Sequence, residues 1–577
     1  MTGRSDERII NMTKHISLLG ATLLIASLAW AQAPATPPTP APGAPAAAAP
    51  AATPAAAPAA PAPPPAMITD QDIKNTATPA ADARAKGDPD GSLTGNVSDI
   101  VVADSKKGVT IQDALNQVGQ NRVAINFVWT LVTGFLVMFM QAGFAIVETG
   151  LCRAKNANHT MMMNFMVYGV GMLAYWLIGF AIQMGGVGAL GTLGSTGVLG
   201  GEYAIKLFGK DFGLWGQNGL FLMHKGTYDV AVMVLFLFQM VFMDTALTIV
   251  TGTAAERWKY AAFVVSSFVM GAFTYPLYAN WAWGGGWLAN LGGNFGLGHG
   301  YADFAGSGVV HAVGGITALA MGILIGPRIG KYDRSGKSNV LLGHDIVLVL
   351  LGCFILAFGW FGFNPGSTLA ASGNGALRIG SIAVNTMLAG MAGSFGAMLY
   401  MWLRYGKPDA SMSGNGLLAG LVAITAPSGF VNPVGSVIIG LIAGVLVCVS
   451  VEFVDRVMRV DDPVGAISVH GTNGLWGVIS VGLFADGKSN YGGSWNGVNG
   501  NVTGLFYGDA GQLVAQLIGV CTLVGFVFAF SFVANWIIDA AVGQRVAAKT
   551  ELEGLDMPEM GALGYPEFEL KASAARM

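Results

Sequence analysis

From residue 124 onward, the sequence alternates apolar runs long enough to cross a lipid bilayer with shorter polar connections. Hydrophobic residues make up 53% of the 577 residues and charged residues only 11%, whereas a soluble domain carries about 25% charged residues. So little charge could not cover the surface of a soluble fold this apolar. The sequence therefore predicts an all-α polytopic membrane protein. We expect eleven transmembrane helices, at residues 124–147, 160–184, 229–252, 260–283, 307–326, 341–362, 379–403, 413–427, 434–455, 464–485 and 512–540.

Basic residues in the connections predict the orientation of these helices. Twelve lysines and arginines fall in the short loops of one side, and five fall in the longer loops of the other side. Because cytoplasmic loops are enriched in Lys and Arg, the first side is expected to be cytoplasmic. An odd number of helices then places the amino terminus outside the cytoplasm and the carboxyl tail inside. We expect the protein in the inner (plasma) membrane.

The amino-terminal residues differ in composition from the rest of the chain. A basic start, an apolar stretch and the sequence Ala29-Trp30-Ala31 are typical of a cleaved signal peptide. An almost pure Pro/Ala segment follows and is expected to form an extended tether. The predicted divisions are a signal peptide at 1–31, the tether at 32–66, a polar extracytoplasmic segment at 67–120, the membrane domain at 121–542 and a cytoplasmic tail at 543–577.

Charge and cysteine content exclude several classes of function. The net charge of −3 argues against a nucleic-acid-binding protein with a basic surface, so no nucleic-acid partner is expected. No two cysteines have the spacing of metal ligands, and each lies in or beside an apolar run. We interpret them as small packing residues and expect neither a metal nor a cofactor. The four are Cys152, Cys353, Cys448 and Cys521.

Two of the seven histidines, His311 and His470, lie inside predicted transmembrane helices. Each follows a valine in a Gly-rich segment, in the fifth and tenth helices. This repeat predicts two five-helix halves, the second inverted relative to the first, with a site between them. A single buried histidine is usually a hydrogen-bonded packing residue. Two at equivalent positions are expected to face each other across a central path, where neutral imidazoles can donate and accept hydrogen bonds.

Aromatic residues and one carboxylate are candidates for binding a cation. Trp283 lies in a tryptophan cluster at the outer end of the fourth helix, which is either an interfacial belt or a cation-binding face. Phe238 and Phe242 share one helix face and could belong to the core or to a pore. Asp303 begins the fifth helix and is expected to cap it, and its charge would also favour a cation in an outer vestibule.

Several ordered motifs resemble those of the ammonium transporter family (Amt/Mep/Rh), of the bacterial Amt type. The resemblance extends from about Asn121 to the carboxyl terminus. The motifs are Gln141-Ala142-Gly143-Phe144 with Arg153-Ala154-Lys155-Asn156, Phe238-Gln239 with Ala255-Glu256-Arg257, Trp283-Gly284-Gly285-Gly286, Asp303-Phe304-Ala305-Gly306 with Val310-His311, Trp360-Phe361-Gly362-Phe363-Asn364 with Ser367, Asp461-Asp462-Pro463 with His470-Gly471, and Glu553-Gly554-Leu555-Asp556.

The resemblance implies a homotrimer with one pore in each subunit, taking up ammonium as a nitrogen source. It also implies that a PII-type signalling protein contacts the cytoplasmic tail. Two residues depart from the family pattern: Ala181, where some relatives have a serine near the outer pore, and Met560, where relatives often have a histidine before Gly561. The resemblance assigns Phe238, Trp283, Ser367 and Asp303 to ammonium recognition, Phe242 and Phe363 to an aromatic gate, His311 and His470 to the pore pair, and Trp360 and Asp462 to support.

Physical chemistry favours deprotonation of the substrate in such a pore. Moving an isolated ammonium ion into an apolar medium would cost on the order of tens of kcal/mol, and one cation–π contact would offset only a small part of it. We therefore expect capture of ammonium at Trp283, deprotonation near the phenylalanines, and passage of ammonia past the histidines, with or without separate proton transfer. The protein is not expected to be an enzyme.

Three other functions are compatible with part of this pattern. An ammonium sensor would share the recognition residues but usually needs an output domain, and few residues follow the last helix. A channel for another small neutral solute would not need the cation-binding features. A membrane haem enzyme would use His311 and His470 as axial ligands, but the sequence has no further histidine pair or cofactor attachment motif.

Overall fold

The computed structural model describes residues 111–187, 191–194, 199–223, 230–491 and 494–567. The predicted signal peptide, the tether and most of the polar segment 67–120 lie outside the described residues. Within the described part, the first helix begins at Ile111 and continues without a break to Leu151. The membrane domain therefore follows a helical extension of the polar segment.

Long apolar helices dominate the described residues and confirm the all-α polytopic prediction. Nine of them are long and apolar enough to cross a membrane. These helices are Val118–Leu151, Ala154–Met184, Val230–Ala254, Tyr260–Trp283, Ser307–Ile325, Ile346–Thr368, Gly375–Tyr405, Pro433–Met458 and Ala510–Val542.

The predicted count of eleven is not established by length and composition. The eighth predicted helix is present as the shorter Ala410–Thr425. The tenth begins with a π-helical turn, Ile467–Thr472, which leads directly into Asn473–Phe484. Both are shorter in the structure than the nine helices above.

Two short β-hairpins and a few short helices complete the described fold. The first hairpin pairs Glu202–Leu207 with Lys210–Gly216, and its turn places Phe208 and Gly209 at φ values of 54° and 74°. Two consecutive positive φ values are typical of the type I′ turn that joins tightly twisted strands. The other short elements include the hairpin strands Ser494–Trp495 and Val498–Asn499 and the helices Leu291–Phe295 and Ala548–Glu553.

The first hairpin marks one end of the helix bundle. Trp281, near the end of helix Tyr260–Trp283, donates through its indole N–H to the carbonyl of Leu214 in the hairpin at 2.9 Å. We name this the hairpin end. Residues 543–567 pack against the opposite ends of the helices, which we name the tail end.

Helix Val230–Ala254 lies at the centre of the bundle. In its most apolar 18-residue window 83% of the residues are buried, against 22% for helix Ala510–Val542. Glycine allows close contact with this central helix, because a Cβ at Gly314 would lie 2.7 Å from the carbonyl oxygen of Ala246. The central helix and helix Ser307–Ile325 therefore hold their side chains at a fixed separation, which positions the candidate site.

Candidate functional site

A cavity of about 240 Å³ opens at the hairpin end of the bundle. Its walls include Phe238, Phe242, Trp283 and Ser367, which come from three different helices. The indole N–H of Trp283 donates to the backbone carbonyl of Asp303 at 2.7 Å, which fixes the orientation of the ring. We name this cavity the vestibule. Its aromatic walls and hydroxyl group are suited to a small cation, because aromatic faces attract cations.

Two phenylalanines close the floor of the vestibule. Phe242 and Phe363 are fully buried, and their rings stack with centroids 4.1 Å apart at an angle of 25°. Phe238 lies beside Phe242 at 4.7 Å between centroids. Because stacked rings at this separation leave no space between them, passage past this point requires that a ring move.

Beyond the phenylalanine pair, the structure brings His311 and His470 into contact. Their Nδ1 atoms are 3.2 Å apart, and both residues are buried. Two neutral imidazoles can form this hydrogen bond only if one carries its proton on Nδ1 and the other carries it on Nε2. The Nε2 atom of His311 has no hydrogen-bond partner among the described residues. This atom is therefore free to accept or donate a hydrogen bond.

The surroundings of the two imidazoles differ. The ring of His311 is stacked against Trp360 and Phe363, each with its centroid 5.2 Å away. The ring of His470 lies 5.8 Å from Phe144 and lines a cavity of about 20 Å³ with Glu148. Such a cavity has room for about one water molecule. The neighbours of His311 are therefore aromatic, whereas the cavity beside His470 is narrow and largely aliphatic.

Both histidines lie in π-helical turns, Ser307–Ala312 and Ile467–Thr472. π-Helical turns are rare in proteins overall, and those that do occur are often found at functional sites. Asp303 precedes His311 by eight residues, and Asp462 precedes His470 by eight residues. A glycine with positive φ follows each aspartate three residues later, with φ of 112° at Gly306 and 80° at Gly465. This Asp–Gly–His spacing is a signal that the sequence interpretation missed.

The two aspartates hold these turns with different sets of hydrogen bonds. The carboxylate of Asp303 accepts from the backbone N–H groups of Gly306, Gly308 and Val309 at 2.8 to 2.9 Å. The carboxylate of Asp462 accepts from the N–H of Ile467 at 2.8 Å and from the hydroxyl of Thr253 at 3.0 Å. Asp303 thus caps the first turn, as predicted, and its carboxyl group does not line the vestibule.

The vestibule also contains aromatic residues that sequence reasoning did not select. Phe304 and Trp495 line it, with ring centroids 5.9 Å apart. Trp495 is far in sequence from the other wall residues and lies in a short hairpin anchored by Asn496, whose side chain donates to the carbonyls of His299 and Tyr301. No local pattern identifies such a residue, since its position depends on the tertiary fold.

A buried ionic network joins both halves at the tail end. Arg328 forms a bidentate pair with Asp461 at 2.8 and 2.9 Å, and Arg153 donates to Glu256 at 2.6 Å. Burial by itself would raise the pKa of both acids. The positive charges of Arg328 and the other nearby arginines have the larger effect, so the pKa of Glu256 and that of Asp461 lie below the usual range. The network therefore keeps its charges and fixes the helix ends.

The carboxyl tail packs directly on these helix ends. Asp556 accepts from the backbone N–H groups of Asn158 and His159 at 3.1 and 2.9 Å, and so caps the start of helix Ala157–Ala174. Glu551 accepts from the N–H of Ile329 at 2.6 Å. Met560 ends the following turn, Asp556–Met560. The tail is thus part of the described fold rather than a free extension.

Comparison with known proteins relates this geometry to one family. A model of the Ammonium Transporter Family matches residues 128–565. The ammonium transporter Amt2 of Archaeoglobus fulgidus is 46% identical over 447 residues, covering 77% of this chain and 89% of that protein. Among solved structures, a sensor Amt protein is similar, with a TM-score of 0.64 and 32% identity, covering 76% of this chain and 99% of that chain. The crystal structure of Candida albicans Mep2 is also similar, with a TM-score of 0.62, 26% identity and coverage of 77% and 90%.

Proposed function

The chain belongs to the Ammonium Transporter Family, and on that premise we propose that it captures ammonium in the vestibule and conducts ammonia past the histidine pair. The proposal assigns ammonium transport through a membrane, not catalysis, to the protein. Its substrate is the ammonium ion on one side and ammonia plus a proton inside the pore. The hairpin end faces outward in this proposal, and the tail end faces the cytoplasm.

Capture is assigned to the walls of the vestibule. The ring of Trp283 supplies a π-face, Phe238 extends the aromatic wall, and the Ser367 hydroxyl supplies an acceptor. That hydroxyl already donates to the carbonyl of Phe363 at 2.8 Å, so its lone pairs remain for an N–H donor. Asp303 acts through the electrostatic field of its carboxylate and by holding the indole of Trp283 with its carbonyl.

Deprotonation follows from the cost of burying the ion. An isolated cation below Phe242 and Phe363 would lose its hydration for a few weak contacts, at a cost of several kcal/mol or more. Neutral ammonia carries no such penalty. In the proposed step the N–H bond of ammonium breaks, and its proton moves to Nε2 of His311. The proton on Nδ1 of His311 then moves to Nδ1 of His470, 3.2 Å away.

The observation that carries this proposal is the contact of the two imidazoles directly beneath the stacked phenylalanines. A pair that is buried, neutral and joined by one hydrogen bond can accept a proton at one end and release one at the other. Trp360 supports it by stacking on His311, and Asp462 supports it by capping the turn that carries His470. A packing role alone would not require that the two imidazole nitrogens meet.

Electrical recording in proteoliposomes tests the proposal. Addition of ammonium to wild-type vesicles is expected to give a saturable current if proton and ammonia both cross. The variant His311→Ala/His470→Ala is expected to lose this current or its selectivity. An internal pH change without current would indicate conduction of ammonia alone. Wild-type current in the double variant would exclude the proposed relay.

A second candidate function is ammonium sensing, which the similarity to the sensor Amt protein favours. A sensor would use the same vestibule to bind ammonium and would change the packing of the tail instead of conducting. The same vesicles distinguish the two functions. Folded protein that binds ammonium but gives neither current nor internal pH change would support the sensor.

Assembly and regulation are proposed from the family resemblance. We propose a homotrimer with a pore in each subunit, and contact of a PII-type signalling protein with the tail near Met560. Both depend on the tail end facing the cytoplasm. Mass measurement of the detergent-solubilised protein tests the first, since a monomer would contradict it. Co-purification with a PII-type protein tests the second, since loss of the tail beyond residue 543 should abolish it.

A further inference from the structure

A second and larger cavity lies beside the vestibule at the hairpin end. Its volume is about 360 Å³, and it shares Ser494 with the wall of the vestibule. We name it the arginine cavity, because Arg122 and Arg378 both line it. No carboxylate is found among the described residues that line it. The family proposal above leaves this cavity without a role.

Neither arginine has a counter-ion in the part of the chain that the structure describes. Arg122 donates to the hydroxyl of Ser372 at 3.3 Å. Arg378 donates to the carbonyl of Gly429 at 3.1 Å, while its Nε atom is buried without a hydrogen-bond partner. Arg378 is partly buried and Arg122 is exposed, and the two guanidinium groups line the same cavity without a carboxylate between them. The cavity therefore has an excess of positive charge.

The position of Arg378 is fixed by aromatic rings. Its guanidinium lies 4.6 Å from the centroid of the Phe304 ring and 5.7 Å from that of Phe430. Stacking on aromatic faces holds the planar group in one orientation while leaving its N–H edge available. Because Phe304 also lines the vestibule, this arginine connects the two cavities.

Asn490 contributes a second independent donor. Its side chain is only 4% exposed, it lines the arginine cavity, and its Nδ2 atom has no hydrogen-bond partner among the described residues. A buried amide N–H₂ without an acceptor costs about 1–3 kcal/mol. The same acceptor that would pair with the arginines would also satisfy this group.

A helix N-terminus adds further donors to the same cavity. Gly373, which lines the cavity, is the N-cap of helix Asn374–Tyr405 and provides no side-chain cap. The first N–H groups of a helix favour a bound anion. Gly373 has a φ of 58°, and a Cβ there would lie 2.9 Å from an Nη atom of Arg122. Glycine thus lets the guanidinium lie close to the helix start.

We propose that the arginine cavity binds a phosphate-class oxyanion, either as free phosphate or as the phosphate of a lipid headgroup. Two guanidinium groups, a buried amide and a helix N-terminus all present donors and no acceptor charge. Tetrahedral oxyanions suit this set of donors, because one guanidinium group can bind two of their oxygen atoms at once. The volume exceeds that of one phosphate, so either source fits.

An occupied site would also affect the vestibule. A bound oxyanion offsets two positive charges beside the place where a cation is captured, so ammonium is expected to bind more tightly when the anion is present. This consequence depends on the proposed function, whereas anion binding itself does not. A binding measurement without ammonium therefore tests the site even if transport fails.

The first measurement is calorimetry with purified, delipidated full-length protein and inorganic phosphate. One saturable site per chain is expected, weakened by at least about tenfold in Arg122→Gln and in Asn490→Asp. Lys210→Gln, on the exposed hairpin, removes the same charge outside the cavity and is expected to bind as wild type. The second measurement is native mass spectrometry of the same proteins with phosphatidylglycerol.

The two measurements identify the source of the oxyanion. Binding of inorganic phosphate that depends on Arg122 and Asn490 supports a free-phosphate site. Lipid binding with the same dependence, but no binding of inorganic phosphate, supports a headgroup site. If neither ligand binds, or if Lys210→Gln weakens binding as much as Arg122→Gln does, the proposal is overturned. Arg122 is exposed, so its variant keeps the test valid if Asn490→Asp fails to fold.

Discussion

The two histidine turns have the same Asp–Gly–His spacing but opposite surroundings. His311 has aromatic neighbours and is separated from the vestibule of about 240 Å³ by the stacked Phe242 and Phe363, whereas His470 lines a cavity of about 20 Å³ with a largely aliphatic wall. The spacing is the same in both halves, but the side chains that contact each imidazole differ. We propose that this difference corresponds to a division of roles, with capture and deprotonation on the His311 side and release of ammonia on the His470 side.

Removal of each histidine separately is expected to have the largest effect on transport. His311→Ala is expected to lower ammonium-driven transport about 100-fold or more, which is the usual size of a lost acid–base group. His470→Ala is expected to have a smaller effect, because the group that first receives the proton remains. Uptake and current in proteoliposomes give both values. Equal losses, or a larger loss in His470→Ala, would contradict the division of roles.

A third histidine provides the control for this experiment. His299 is also buried at the hairpin end, and neither of its ring nitrogens has a partner among the described residues. It lines neither the vestibule nor the cavity beside His470. His299→Ala is therefore expected to leave transport unchanged per folded molecule. Reduced transport in this variant would mean that burial of any histidine, rather than the pair, sets the rate.

Removal of the aspartate from each turn is expected to lower the stability of the protein by a different amount. Asp303→Ala leaves three buried backbone N–H groups without their acceptor, whereas Asp462→Ala leaves one and a hydroxyl. Each unsatisfied group costs about 1–3 kcal/mol, so we expect a loss of about 3 kcal/mol or more for Asp303→Ala and about two thirds of that for Asp462→Ala. Denaturation of the detergent-solubilised proteins measures both, and the reverse order would count against the capping interpretation.

Residues of the candidate site could be predicted from the sequence where a local pattern identifies them. His311 and His470 stand out because imidazoles are rare inside apolar helices, and the structure brings them together. The eight-residue spacing of Asp303 from His311 is also visible in the sequence, but its recurrence between Asp462 and His470 was missed because only the Val-His pairs were compared between the halves. Trp495 could not be predicted, since it reaches the vestibule from a distant loop whose position depends on tertiary packing.

The boundaries of helices and strands could likewise be predicted only where the local sequence pattern is strong. The predicted helix 413–427 corresponds to Ala410–Thr425, which the apolar run locates to within a few residues. The hairpin Glu202–Leu207 and Lys210–Gly216 was predicted only as an outer loop, because a turn at Phe208-Gly209 gives a weak signal. The arginine cavity also has no local signature, since Arg122, Arg378 and Asn490 come from three distant segments.

The pH dependence of ammonium binding tests whether the charge of Asp303 contributes to capture. Burial raises the pKa of Asp303 to about 6, although backbone hydrogen bonds from Val309 and Gly306 oppose the shift. Below that pH the carboxyl is neutral and its attraction for a cation is lost. We therefore expect ammonium affinity to fall several-fold as the pH is lowered through about 6, and Asp303→Asn to remove this dependence. Binding measured across pH 5 to 8 checks it.

Acid unfolding does not explain the same result. A carboxyl whose pKa is higher in the folded state than in the unfolded state binds protons more tightly when folded, so this group stabilises the fold as the pH falls. Lost affinity near pH 6 together with an unchanged or higher melting temperature would assign the effect to the charge of Asp303. An affinity that stays constant across this range would exclude a role for that charge in capture.

The smallest expected effect concerns the vestibule hydroxyl. Ser367→Ala removes one acceptor from the capture side without altering the His470 side, and a single hydrogen bond is worth about 1 kcal/mol, or about fivefold in affinity. Ammonium is expected to bind about fivefold more weakly while the maximal rate stays unchanged, because the histidine pair is untouched. Ser381→Ala is the matched control, since its hydroxyl also donates to a carbonyl within its own chain segment, that of Arg378 at 2.9 Å, outside the vestibule. A lowered maximal rate in Ser367→Ala would instead mean that this hydroxyl takes part in deprotonation. That step would then begin in the vestibule.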